Sequence, residues 1–317
     1  MADKATRDGF GEGLLELGRR DPRIVALSGD LEDSARAIWF KKEFPDRFFS
    51  VGIAEQDMVG AAAGLAMAGK IPFACSFSQF VSGKALEQMR VMVCYQRLDV
   101  KIVGSHGGLS VGADGATAEA LEEVTHMRAL PHMTVIVPCD AVEARKAAVA
   151  SADYPGPVYL RLGRAPVPAV TEESDAFTVG EARLMRPGTD VAIVACGVMV
   201  AHALRAAEAL AKDGVDARVI NLHTIKPLVE RALTAAAAET GAIVTAEEHT
   251  VLGGLGGAVA ELLAQRHPVP MRMVGIQDRF GTSGDPAQLL KAFGLMPEDI
   301  VSAVRDVLRA KSSRVIH

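Results

Sequence analysis

The sequence predicts an α/β protein built from two domains with parallel or mixed sheets, and three observations carry that expectation. Short apolar runs alternate with amphipathic stretches of helical period, the pattern of βαβ units. The chain has 317 residues, more than one core usually holds, so two domains are expected. The alternation breaks between Ala165 and Gly188, where "APVPAVTEESDAFTVGEARLMRPG" is rich in Pro, Glu and turn residues. We therefore place a first domain at 1–170, a linker at 171–188 and a second domain at 189–317.

The elements follow in order. A helix over Arg7 to Arg19 leads to the strand "RIVALSGD", and "RFFSVG" is the next strand. The small-residue segment Val59 to Ala68 reads as a helix packed tightly on both sides, with Glu55, Gln56 and Asp57 at its mouth. "IPFACSF" is a strand, "GKALEQMRVMVCYQ" a helix, and "DVKIVGSHG" a strand ending in a glycine loop. The helix "EALEEVTHMRAL", the strand "MTVIVPCD", the helix "AVEARKAAVASA" and the strand "PVYLRLGR" finish the first set. The second set opens with "DVAIVACG" and the helix "MVAHALRAAEALAKDG", then "DARVINLHT" and an alanine-rich helix. The strand "AIVTAEEHT", a glycine turn, another helix and "MRMVGIQD" complete it. These two periodicities, about 2 and 3.6, are the basis of each assignment.

Composition removes several function classes. The chain is 49% hydrophobic and 23% charged, enough apolar matter for packed cores, and it carries a formal charge of -5. With a pI of about 5.9 it lacks the basic footprint of a nucleic-acid binder. The start, "MADKATRDGFGEG", has no apolar signal core, and runs such as Ala192 to Ala201 are too short to span a bilayer. No membrane contact and a cytoplasmic location are expected. Cys75, Cys94, Cys139 and Cys196 lie far apart without a C-x-x-C pair. They read as small buried hydrophobes, and no metal site is expected from them.

Two phosphate-loop patterns fail. Gly64 to Lys70 nearly spells a P-loop, but Ile71 stands where Ser or Thr is needed, and the order is helix then strand. "LGGLGGAVAELL" follows a strand and opens a helix, yet Val259 takes the place of the last glycine of a dinucleotide turn. Glycines serving a tight turn and close helix packing are the reading there.

Three strand-end loops remain. The first holds Glu55. The second, "CSFSQFVSG", carries Phe77 and Phe80 three residues apart, on one face of a helical turn. The third, "GSHGGLSVGADGATAEALEE", holds His106 and Asp114 among glycines. Ligands bind at the carboxyl ends of strands in open α/β sheets, where these loops sit. Each also has a plain alternative: Glu55 as a charge at a helix N-terminus, the two phenylalanines as core, and His106 as a surface loop residue.

The strings "FPDRFFSVGIAEQDM", "SFSQFVSGKALEQMR", "HGGLSVGADGAT", "GPVYLRLGR", "EEHTVLGGLGGAVAE" and "DRFGTSGDPAQLL" resemble the carboxy-terminal half of transketolase. In particular they are similar to the short second subunit of split bacterial and archaeal transketolases, over essentially the whole chain. The resemblance implies a pyrimidine-binding domain for thiamine diphosphate followed by a transketolase C-terminal domain. It implies that Glu55 hydrogen-bonds the pyrimidine N1′ and supports the tautomer that activates the thiazolium C2. Small residues along the helix exclude water there, and a carboxyl group shares a proton with a ring nitrogen better in a dry site. Phe80 would stack on the pyrimidine and Phe77 wall its pocket. His106 and Asp114 would meet substrate hydroxyl or phosphate groups, and Arg7, Ser34 and Arg164 would hold the sugar phosphate.

Two departures from the family pattern set further expectations. The G-D-G motif with its downstream Asn, which holds diphosphate and Mg²⁺, does not occur in the sequence. A partner chain, the N-terminal transketolase subunit, is expected to supply it, with this chain a homodimer inside an α₂β₂ heterotetramer. Ala118 stands where a donor-contacting histidine is expected, which predicts weak use of xylulose 5-phosphate. The reaction implied is transfer of a two-carbon ketol unit from a ketose phosphate to an aldose phosphate. The alternatives are the β subunit of a 2-oxo-acid dehydrogenase decarboxylase, a 1-deoxy-xylulose-5-phosphate synthase fragment, and a transketolase-like subunit without catalysis. Arg7, Ser34, His106 and Arg164 favour phosphosugars over oxo acids.

Overall fold

The computed structural model describes residues 3–314, so the outermost residues of the expected spans 1–170 and 189–317 lie outside the described residues. Six strands form most of the first sheet: β1 (Ile24–Ser28), β2 (Phe48–Ser50), β3 (Ile71–Phe77), β4 (Lys101–Ser105), β5 (Thr134–Ile136) and β6 (Val158–Arg161). They run in the order β5-β6-β4-β3-β1-β2, all parallel. Every residue of β1, β3 and β4 is buried, as continuous apolar runs covered by helices on both faces should be. The helices are α1 (Thr6–Arg20), α2 (Ile38–Glu43), α3 (Glu55–Met67), α4 (Ser78–Lys84), α5 (Leu86–Gln88), α6 (Glu123–Ala129) and α7 (Ala141–Asp153). Helix α1 lies flush on α7: a Cβ on Gly9 would stand only 1.9 Å from the Ala141 carbonyl oxygen.

The second sheet contains β7 (Arg183–Arg186), β8 (Val191–Ala195), β9 (Ala217–Asn221), β11 (Ile243–Thr250) and β12 (Met271–Ile276). Its order is β12-β11-β8-β9-β7, with β7 antiparallel to β9. It is flanked by α8 (Met199–Lys212), α9 (Glu230–Thr240), α10 (Leu255–Arg266), α11 (Pro286–Ala292) and α12 (Pro297–Arg314). One short strand, β10 (Thr224–Lys226), leaves this neighbourhood and pairs antiparallel with β5 on the first sheet. Both sheets are therefore mixed, and the second half of the chain completes the first sheet. Among the described residues no helix is long and apolar enough to cross a membrane.

Several elements differ from the sequence reading. The stretch expected as linker contains β7, whose partner strand lies more than thirty residues further on and so leaves no local signature. The helix expected from Gly83 starts at Ser78, directly off β3, and runs into α5 and a π-helical turn, Met89–Cys94. The glycine inside it sits in open space, its nearest Cβ contact 3.9 Å away, and does not break it. Helix α6 starts at Glu123 rather than Glu119, because Gly108 N donates to Ala120 O at 2.9 Å and draws that residue into a bridge. Strand β5 stops before Pro138, and Asp140 accepts from Glu143 N at 2.8 Å to cap α7.

Two further readings are decided here. Helix α3 is covered on one side only: Met58, Val59, Ala62 and Ala63 are buried, whereas Gln56, Gly64 and Met67 are exposed. The glycine turn before α10 takes no external anion, because its own chain fills the place. Leu255 N and Gly256 N donate to the two oxygens of Glu247 at 2.6 and 2.7 Å. All four cysteines are buried and unbridged, as their spacing suggested.

Candidate functional site

Glu55 is the first residue of α3, behind Ala54. Its carboxylate is 2% exposed, deeper than a helix-end charge needs to be. Ser76, on β3, donates its hydroxyl to Oε1 at 3.3 Å, and Lys84, the last residue of α4, reaches Oε2 with its Nζ at 3.2 Å. A cleft of about 570 Å³ opens against Ile53, Glu55, Asp57 and Lys84. Strand β3 delivers Phe77 and α4 delivers Phe80, and the two rings stack with centroids 5.4 Å apart. Phe77 is buried in full contact, while Phe80 is part-exposed, so one ring is wall and the other is platform.

The row continues through His106. Its ring stacks on Phe77 at 3.9 Å between centroids. Ser105 Oγ lies 2.8 Å from its Nδ1 and Arg7 Nη1 lies 3.5 Å from its Nε2. His106 is 2% exposed, not the surface histidine of the plain reading. Burial first, then the charges of Arg7, Arg164 and Arg36, push its pKa down to about 3. It is a neutral imidazole at physiological pH, a hydrogen-bonding group rather than a cation.

Arg7 projects from α1, donating to the Ser34 carbonyl at 3.0 Å. It thus meets the Ser34 backbone rather than its hydroxyl. Burial and the nearby Arg36 lower the Arg7 pKa, and its buried Nε finds no hydrogen-bond partner among the described residues. Arg164, past β6, donates to Val111 O at 2.6 Å and stands 3.5 Å from Asp114. Arg7 and Arg164 line one cleft of about 490 Å³ with Ser110, Val111 and Pro286. Two guanidiniums line the same cleft, an arrangement suited to an anionic group.

The loop that carries His106 and Asp114 is held from outside its own domain. Ser110 N donates to Glu248 Oε1 on β11 at 2.6 Å. Gly108 has φ +92°, and a Cβ there would lie 2.3 Å from the Glu248 carboxyl carbon. Gly112 O accepts from Gly284 N at 3.4 Å, and Gly115 packs on Ser283. Beneath the loop, Arg161 is paired with the fully buried Glu123 and donates to Glu248 O at 2.8 Å. Ala118, the position of the missing histidine, is 6% exposed, its N bonded to Gly115 O at 2.9 Å. Next to it Glu119 is raised to about 7, by burial first and then by Glu248 and Asp114.

Of the residues singled out in the sequence, Phe80, Phe77, His106 and Arg7 form one row of contacts. Glu55 is linked to it through Lys84, Arg164 shares a cleft with Arg7 and stands by the exposed Asp114, and Ser34 touches Arg7 through the main chain. Ser76, Lys84, Arg161 and Glu248 were missed. Lys84 follows Phe80 by four residues, a helical neighbour spacing that could have flagged it. Glu248 had no such signal, since it lies 138 residues from Ser110.

Comparison with known proteins identifies the two domains. Residues 2–169 match the family model described as the transketolase pyrimidine binding domain, and residues 180–300 the transketolase C-terminal domain. The chain is 45% identical to the 6-deoxy-6-sulfo-D-fructose transketolase subunit of Clostridium sp. (strain MSTE9), covering 97% of this chain and 96% of the relative. It is 42% identical to one of the subunits of the apulose-4-phosphate transketolase of Phocaeicola vulgatus, over 96% of this chain and 98% of that one. A solved split gene transketolase, described as an inactive beta4 tetramer, superposes with a TM-score of 0.90 at 44% identity, covering 98% of this chain and 99% of that one. The chain belongs to the transketolase family and carries its pyrimidine-binding and C-terminal domains, the portion to which these separate subunits correspond end to end.

Proposed function

We propose that this chain is the pyrimidine-binding subunit of a thiamine diphosphate-dependent transketolase, moving a two-carbon ketol unit from a ketose phosphate to an aldose phosphate. The observation that carries the reading is Glu55, a carboxylate 2% exposed that lines a cleft with Lys84, the lysine whose ammonium also stands 4.6 Å over the part-exposed ring of Phe80. Those residues fit an aminopyrimidine: a buried carboxyl group able to share a proton with N1′, and an aromatic face for the ring. The cofactor supplies the electron sink for the carbanion chemistry. Glu55 would share a proton with N1′, Phe80 backed by Phe77 would offer the ring an aromatic face, and Ser76 orients the carboxylate. His106, kept neutral, and Asp114 hydrogen-bond the sugar hydroxyls, while Arg7 and Arg164 take the anionic tail. The names of the two relatives specify a sulfo sugar and a sugar phosphate, both anionic, and the arginine cleft suits either.

The diphosphate and Mg²⁺ belong, in this reading, to an N-terminal partner subunit. Reconstitution tests it: this chain alone turns over no donor, and adding the partner restores ketol transfer from at least one ketose phosphate. Full turnover by the isolated chain would refute the division of labour. The uncovered face of α3 supports association with a second copy inside an α₂β₂ assembly. Ile53 before the helix is 75% exposed, Met67 at its end 76% and Tyr95 81%. Light scattering of Gly64→Trp, at a position with no neighbour within 4 Å, should show loss of the dimer expected of the unaltered chain.

A further inference from the structure

We propose that Lys84 is a built-in occupant of the pyrimidine slot and sets the affinity for the cofactor by competing with it, an inference that rests on the Glu55–Phe80 reading above. Lys84 makes both contacts which that reading assigns to the pyrimidine. Its Nζ stands 3.2 Å from Glu55 Oε2 and 4.6 Å from the centroid of the Phe80 ring. Phe77 stacks on Phe80 at 5.4 Å, and an ammonium and a stacked ring cannot share one face. Lys84 therefore covers the face that is left for a ligand. Ser76 holds the other oxygen of Glu55, so a ring lying on the free face of Phe80 meets Glu55 Oε2 in the space where the Lys84 ammonium now stands, and the two occupants exclude each other.

The chemistry explains why a lysine suits that role. A carboxylate as buried as Glu55 is costly without a partner, and the ammonium supplies one together with a cation–π contact. The Lys84 side chain is 50% exposed, on a flexible four-carbon stem, so it moves out to water without leaving its charge desolvated. The site is thus kept paired in either condition. The cost falls on the ligand, whose apparent affinity is reduced by the fraction of time the slot is free. The spacing helps: Phe80 and Lys84 are one helical turn apart on α4, so the cation returns to the same ring each time.

The test is equilibrium binding of thiamine diphosphate with Mg²⁺ to this chain reconstituted with its partner subunit, read by calorimetry, together with melting curves. Lys84→Met removes the competitor and should tighten the dissociation constant roughly five- to tenfold, while the melting temperature without cofactor falls by several degrees and recovers on loading. Lys84→Gln, neutral but able to hydrogen-bond, should also bind more tightly, and Lys84→Arg should stay near the unaltered chain. Weaker or unchanged binding in both neutral variants overturns the proposal. Phe80→Ala separates this failure from that of the parent reading. If Phe80→Ala binds the cofactor as well as the unaltered chain does, the site assignment itself falls. If it binds weakly and Lys84→Met binds no tighter, only the role of Lys84 falls.

Discussion

The two ends of the site are built in opposite ways. The Glu55 end is local: α3, β3 and α4 follow one another, and Glu55, Ser76, Phe77, Phe80 and Lys84 fall within thirty residues. The His106–Asp114 end is assembled at long range, with the loop pressed on Glu248, Ser283 and Gly284 from the other half of the chain. Sequence neighbours fix one end and tertiary packing fixes the other. It follows that the first end should be altered by point changes in chemistry, and the second by changes in shape.

That contrast can be broken or sharpened, beginning with the largest effect. Glu55→Gln keeps the outline of the side chain and removes the shareable proton. Turnover of the reconstituted enzyme should fall about 10²–10⁴-fold, with cofactor binding changed far less. A variant within twofold of the unaltered turnover removes Glu55 from the chemistry.

Gly108→Ala probes the other end. The backbone there, φ +92° and ψ −178°, is essentially restricted to glycine and costs about 1–3 kcal/mol for other residues, before the contact with Glu248 is counted. Melting temperature should fall and donor KM rise, while cofactor affinity measured by calorimetry holds. If cofactor affinity falls as far as donor affinity, the two ends are not separable. The smallest effect concerns Glu247, whose pKa is raised from 4.5 to about 7, chiefly by burial. A carboxyl with a folded pKa above its unfolded one binds more protons when folded. Its stabilisation is therefore complete below pH 4.5 and is lost as pH rises through about 7. Glu247→Gln, which cannot ionise, should flatten the decline in melting temperature between roughly pH 4.5 and 7 by a few degrees. An unchanged slope would show that Glu247 does not drive it.

What could be read from the sequence follows the same division. The strands β1, β3, β4 and β8 were legible because buried parallel strands are continuous apolar runs, and Glu55, Phe77 and Phe80 stood where such runs end or helices begin. Strands β7 and β10 were not. Arg183–Arg186 is only half-buried at an edge, and Thr224–Lys226 has three residues whose partner is on the other sheet. His106 was named but its environment was not, because burial under Arg7 and Phe77 depends on α1 arriving from a hundred residues earlier. Glu248 sat in plain view in "EEHT", with nothing nearby in the sequence to say that Ser110 would bind it.

Strand β10 bears on how the chain could be divided. A fragment ending near residue 170 would keep β5 but lose Thr224 and Lys226, which pair with Ile136 and Val135. Val137 N, which donates to His223 O at 2.7 Å, would lose its acceptor too. The fragment would present a bare strand edge of Val and Ile, a template for pairing with other copies. Moving the cut past Lys226 restores the edge but carries β7, β8 and β9 along with it, stripped of β11 and β12. Because β10 lies between strands of the second sheet in sequence and beside β5 in space, no single cut of this chain yields two intact sheets.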